Sequence, residues 1–307
     1  MERIALREAR AFCPAWKRSK EKIDMITIRN QVFDQERALY GSRDTLVEHC
    51  RFEGPADGES ALKECRDIQV NDCDFMLRYP LWHVEGAQVA DIRMTETCRA
   101  ALWYDKDMTL TNCVMGGIKA LRECERVTIR GGEANSQEFG WMCRGVRIEN
   151  FKLTSEYPFF NTRNMEVSGL TMKGKYSFQY VENAAICDSV LDTKDAFWHS
   201  KNVTVRDTVI KGEYLAWYSE SLRLVRCKII GTQPLCYCKG LVLEDCEMED
   251  ADLSFENSDV TATVRGHIVS VKNPVHGAIT AGSIGEIILD EHRWPQADCV
   301  IRDLSAK

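Results

Sequence analysis

The sequence predicts an all-β chain wound as a single-stranded parallel β-helix, and three observations carry this. Apolar residues recur every nineteen positions along most of the 307 residues. A column of Asn, Gly and Asp recurs at a fixed place between them, as a turn does. The rest of each unit is β-branched, aromatic and turn-rich, without helical periodicity.

Cut every nineteen residues from Asp107, the chain falls into columns. The second holds Met108, Val127, Val146, Met165, Ala184, Val203, Leu222 and Leu241, and the fourth runs from Leu110 and Ile129 to Leu243. The ninth is again apolar, with Leu153, Met172, Leu191, Ile210 and Ile229. Between them the sixth reads Asn112, Gly131, Asn150, Gly169, Asp188 and Asp207. Each unit is thus a strand, a bend, a second strand, another bend and a third stretch. One unit cannot close a core alone, but stacked units share one. Rungs about 4.8 Å apart would give a cylinder roughly 55–60 Å long.

The elements follow in order. Residues 1–25 lie outside the repeat and read as an extension. Residues 26–43, including "FDQERALYGSRD", are expected to cap one end, because open β-edges invite aggregation. Coils are expected from 44 to 277. Residues 278–307 depart from the pattern and are expected to supply a closing strand and cap. A leucine-rich repeat is the alternative, since "LRLVRCKI" and "LVLEDCEM" fit L-x-L-x-x-C-x-L, but nineteen residues falls below its usual length.

The same columns absorb the cysteines and many charges. Cys113, Cys227 and Cys246 share the seventh column, with Cys50 and Cys73 matching them in earlier coils. Cys124, Cys143 and Cys238 share the eighteenth with Ser200 and Ser219. Free cysteine packs as a small hydrophobe, so a structural role is expected for nearly all fourteen. The last column, Glu125, Arg144, Arg163, Glu182, Lys201, Glu220 and Lys239, reads as a cross-rung charge ladder.

Composition narrows the function. A net charge of −7 and a pI near 5.5 argue against a nucleic-acid partner, with only Lys17, Arg18, Lys20 and Lys22 locally basic. No uncharged run reaches the roughly 18 residues of a membrane span, and the first residues lack a secretory pattern. A cytoplasmic location is expected. No C-x-x-C pair occurs, and His49, His83, His267, His276 and His292 form no ligand spacing, so no metal or cofactor is expected.

The strings "NVTVRDTVIKG", "LRLVRCKIIGTQPLCYCKGLVLEDC", "KYSFQYVEN" and "KDAFWHSKNV" resemble a family of bacterial right-handed parallel β-helix proteins known as a domain of unknown function, similar in fold to pectin lyases. The likeness runs from about Ile26 to Asp290. It implies the β-helix over the leucine-rich repeat and brings no activity or site residue with it.

One aromatic feature stands out. The sixteenth column carries Trp103, Trp141, Phe160, Trp198, Trp217 and Phe255, interrupted by Arg122, Gln179 and Cys236. The seventeenth holds Tyr104, Tyr180, His199, Tyr218 and Tyr237, and the thirteenth Tyr157, Tyr176 and Tyr214. Neighbours on a strand point to opposite faces, so either Trp packs inward with Tyr outward, or one column forms a surface groove on which sugar rings stack. Arg122 and Gln179 favour the groove, because an unpaired Arg in a lumen is costly. The candidate ligand-binding residues are Tyr176, Tyr180, Trp198, Tyr214, Trp217, Tyr218 and Tyr237. His199, oriented by Asp195, is the candidate general acid or base. Asp188 and Asp207, one rung apart, sit where a turn expects Asp, and the paired-carboxylate motifs of polygalacturonases are absent; "RGHI" matches Gly-His-Gly poorly.

Three functions remain open. The chain is a binding solenoid for a glycan or another protein chain, a carbohydrate-active enzyme of lyase, hydrolase or epimerase type, or an assembly scaffold.

Overall fold

Glu182–Cys187 is a strand whose Ala184 and Ile186 point into the lumen while Asn183 and Ala185 face out. Asp188 turns the chain at φ 51°, and Val190–Lys194 follows with Leu191 inward. A tight turn then delivers the chain to Lys201–Arg206, which lies parallel to the first strand with Glu182 beside Lys201 and Ile186 beside Val205. Repetition of this step builds the molecule. A computed structural model describes residues 25–54, 59–290 and 298–306, and they form a parallel β-solenoid of about 14 turns. The one helical element among them is the 3-10 turn Glu96–Cys98, whereas a leucine-rich repeat supplies a helical segment in every unit.

Strand pairing reaches both ends of the described chain. Pairing begins with Ile26 beside Thr45, so residues 26–33 already form a rung, and Phe33 stacks on Phe52 in the core. At the other end Asp259–Lys272 and His276–Ile288 run as long paired strands, and Val300–Asp303 pairs with Ala278–Ala281. Strand pairing therefore continues into the segment expected to supply a closing strand. The extension expected at residues 1–25 lies, all but Met25, outside the described residues, as does His292.

Nineteen-residue steps hold through the middle of the chain, but Leu46 pairs with Gln69 and Glu85 with Lys106, offsets of 23 and 21. These insertions blur the columns in the early coils.

The lumen is filled by stacked side chains. Phe159, Phe178 and Phe197 are fully buried, with ring centroids 4.9 and 4.8 Å apart. Aromatic pairs at such distances add to the area they bury. The cysteines are mostly buried and all free among the described residues. In the eighteenth column, side chains tie rungs together. Ser258 Oγ accepts the Cys238 N–H at 2.9 Å and donates to the Leu235 carbonyl at 2.7 Å. The Cys238 thiol repeats the donation to the Ala216 carbonyl.

The surface is laddered as well. Lys201 meets Glu220 at 3.2 Å and Arg163 meets Glu182 at 3.4 Å, although Arg144 stands beside Arg163 without alternation. Asn202 donates its side-chain amide to Asn183 at 3.2 Å, and Asn183 donates to Asn164 at 3.3 Å.

Candidate functional site

The stretch Asp195–Ser200 is a turn rather than a strand, and its conformation sets the site. Asp195, Phe197 and His199 have φ of 54°, 61° and 54°, and Tyr214, Ala216 and Tyr218 repeat this one rung on. Left-handed conformations at non-glycine residues cost about 1–3 kcal/mol each. Here the backbone hydrogen bonds offset that cost by alternating in direction. The N–H groups of Asp195 and His199 donate to Glu213 and Trp217 on the following rung, both at 3.0 Å. That of Phe197 donates to Ser177 on the preceding rung at 2.8 Å.

Strand alternation therefore does not govern these columns. Phe197 faces the lumen, while Trp198 and His199 both lie on the outer wall. The lumen position expected for tryptophan belongs to the phenylalanine one residue earlier.

The tryptophans are half-buried on this wall. Trp198 and Trp217 stack with centroids 5.3 Å apart and planes 2° from parallel. Their indole N–H groups donate to the carbonyls of Tyr214 at 2.7 Å and Gln233 at 2.8 Å. Gln179, which interrupts the column, donates in the same manner to Asp195. Arg122 lies over Trp141 and is paired with Glu123 and Glu138. Both polar interruptions thus fit an outer wall.

Outside this layer runs a row of rings. Tyr180, His199, Tyr218 and Tyr237 stack in succession with centroids 4.9, 5.1 and 4.8 Å apart and planes within 12° of parallel. Tyr180 and Tyr218 are 45% and 44% exposed. The ring faces are packed against one another, so the row presents edges, hydroxyls and the imidazole rim outward. Face-on stacking of sugars, the expected mode, is thus blocked along the row, and at its Tyr180 end Phe160 packs against the ring at 5.5 Å. Tyr176 stacks on Tyr157 at 5.1 Å, and Tyr214 lies under the Lys194 ammonium at 5.1 Å and edge-on to Trp217. All seven candidate ligand-binding residues share this wall on four successive rungs.

The candidate catalytic pair is not joined. His199 is held between Tyr180 and Tyr218, and no hydrogen bond links it to Asp195. The Asp195 carboxyl is buried, which raises its pKa, with Lys194 opposing and Glu213 adding to the shift. Asp207 is gripped by Arg226 through contacts of 2.7 and 2.6 Å, which hold its carboxyl below the usual range. This is ion pairing across rungs. Among the described residues no three His, Cys, Asp or Glu side chains gather as a metal site, and no helix is long and apolar enough to cross a membrane.

A second aromatic block was hidden from column counting. His83 stacks on Tyr104 at 5.0 Å and Trp82 on Trp103 at 5.6 Å. The 21-residue step from Glu85 to Lys106 shifts His83 and Trp82 out of the nineteen-residue register.

No curated protein matches the chain. Among solved structures, it is similar to the mannuronan C-5 epimerase AlgE6 A-module of Azotobacter vinelandii, at 9% identity over 91% of this chain and 87% of that one, with a TM-score of 0.30. It is also similar to the catalytic domain of an α-1,3-glucanase of glycoside hydrolase family 87 in complex with tetrasaccharides, at 10% identity over 91% and 64%, with a TM-score of 0.30. The periplasmic alginate epimerase AlgG matches at 6% identity over 84% and 77%, with a TM-score of 0.25. A family model matches residues 26–302, and the chain belongs to the family described as protein of unknown function (DUF3737).

Proposed function

We propose that the protein binds an extended glycan along the wall formed by Tyr180, His199, Tyr218 and Tyr237, without transforming it. The observation that carries this reading is the uninterrupted outer row of polar-edged rings, repeated at rung spacing on a rigid backbone. Each rung offers a hydroxyl or imidazole nitrogen at the same height, which suits a polymer whose own polar groups repeat. Tyrosine combines a rigid apolar body with a polar tip and loses little entropy on binding. The separation of His199 from Asp195 supports binding over catalysis. The covered ring faces favour a second reading, in which the row only knits rungs together.

Titration of an oligosaccharide panel, followed by tryptophan fluorescence, tests the choice. Trp217 packs edge-on against Tyr218 and Tyr237 and stacks on Trp198, so the pair should report an occupant. Binding by the native protein, weakened in Tyr218→Ala and Tyr180→Ala variants that melt normally, is the expected result. A panel without any binder, with the same variants altering only thermal stability, would leave the knitting role.

A further inference from the structure

Beside the ring row the outer surface changes character. Lys152–Ser155, Thr171–Lys175 and Val190–Lys194 are neighbouring parallel strands. They carry Lys152, Lys173, Lys175 and Lys194 against one carboxylate, Asp192. Elsewhere acids and bases on adjacent rungs mostly answer one another, as Lys106 does Glu125 and Lys228 does Glu249. Here Lys175 stands directly beside Lys194 in register, an arrangement that disfavours the fold. Lys194 is drawn off to Glu213 at 2.8 Å. Among the described residues Lys152, Lys173 and Lys175 form no ion pair, although Glu133 stands beside Lys152 and Asp192 beside Lys173 in register.

Lys173 and Lys175 line an open groove of about 450 Å³ with Asn135, Gln137, Thr154 and Glu156. A second groove of about 410 Å³ shares Asn135 and Thr154 with it and adds Lys152, Arg93, Glu96 and Glu133. Glu156 is engaged by the Gln137 amide at 3.3 Å. The groove stops at the stacked Tyr157–Tyr176 pair, since Glu156 and Lys175 immediately precede those tyrosines in the chain. Lysines left out of ion pairs although carboxylates stand beside them, one of them next to another lysine, and set beside amides, hydroxyls and an aromatic edge, form a site for an anionic, hydroxyl-rich ligand.

We infer that the glycan is acidic, and that Lys173 and Lys175 receive its carboxylates or sulfates while its sugar rings run past Tyr157 and Tyr176. This rests on the binding role proposed above and specifies its ligand class. The overall charge of −7 makes a nucleic acid the poorer fit, because it would need cations over a longer track.

The test is calorimetric titration of the full chain with a tetragalacturonate, a neutral cellotetraose and a single-stranded DNA oligonucleotide. It uses the native protein, Lys173→Gln/Lys175→Gln, the Arg pair at the same positions, and Tyr218→Ala. The expected result is salt-sensitive binding of the uronate, weakened about tenfold or more by the Gln pair and restored by the Arg pair, with the Gln pair melting no lower than the native protein. Equal affinity for uronate and cellotetraose, indifferent to the Gln pair, would overturn the acidic class and leave glycan binding standing. Failure of both sugars would remove both proposals. DNA binding that vanishes in the Gln pair, without uronate binding, would assign the groove to nucleic acid instead.

Discussion

The carboxylate of Asp105 accepts the backbone N–H of Val84 at 2.8 Å across one rung, while its other oxygen is buried without a hydrogen-bond partner. Asp105 is 0% exposed and occupies the column that Cys124 and Cys143 hold in the next coils. Burial pushes its pKa well above the ordinary value, outweighing the backbone hydrogen bonds that oppose it. The folded chain therefore keeps this group as the neutral acid more readily than the unfolded chain does.

The sign of the pH effect follows. A raised folded pKa contributes stability that is complete below the unfolded value, about pH 4, and is lost as pH rises toward the folded value. Asp105→Asn removes the titration and keeps the acceptor for Val84. Urea denaturation should find the variant more stable than the native protein at pH 8, by about 1–3 kcal/mol, with the difference closing toward pH 4. A constant difference across that range would mean that Asp105 does not titrate as its surroundings dictate.

Phe178 is clasped between Phe159 and Phe197 in the lumen. Phe178→Ala should cost about 3–5 kcal/mol, since neighbouring rungs cannot collapse independently into the space. Leucine at this position should recover part of that loss. Chemical denaturation of the two variants decides.

Gly212 sits at φ 144°, and a Cβ built there would lie 1.9 Å from the Thr193 carbonyl oxygen of the preceding rung. Backbone on both sides of the clash leaves little room to yield. Gly212→Ala should therefore lower the melting temperature clearly, while Gly41→Ala, where nothing lies within 4 Å, should have the smaller effect.

Thiol labelling distinguishes the cysteines. Burial pushes Cys98 and Cys236 up to about 12 and Cys65 up to about 11. Only Cys187 and Cys299 are partly exposed among the described residues. Peptide mapping after a brief alkylation of the native protein should recover label at these two and little at Cys65, Cys98 or Cys236. Rapid labelling of Cys98 would show that the early coils open.

The inward columns were legible because a strand translates sequence alternation directly into faces. Ala184, Ile186 and Leu191 point where their spacing says. The bend at Asp188 and the pairing of Lys201 with Glu220 were legible for the same reason. The site was only half legible. Its residues could be named, but Phe197, Trp198 and His199 take their faces from alternating left-handed backbone. Neither tyrosine, phenylalanine nor histidine advertises that conformation as glycine would. The lysine groove was not legible because its signal is ion pairs left unmade between neighbouring rungs, which only side-chain positions reveal.

The asparagine ladder has a chemical lifetime. Asn183 donates to Asn164 and accepts from Asn202, so the three amides point one way, and one cannot reverse without setting oxygen against oxygen. Asparagine side chains slowly lose ammonia in water. At Asn183 that reaction would exchange the donor for a second acceptor, leave the Asn164 oxygen facing a carboxylate, and add a negative charge to the wall. Ageing at one rung would then be felt at the next, and the long axis of the solenoid would carry a record of it.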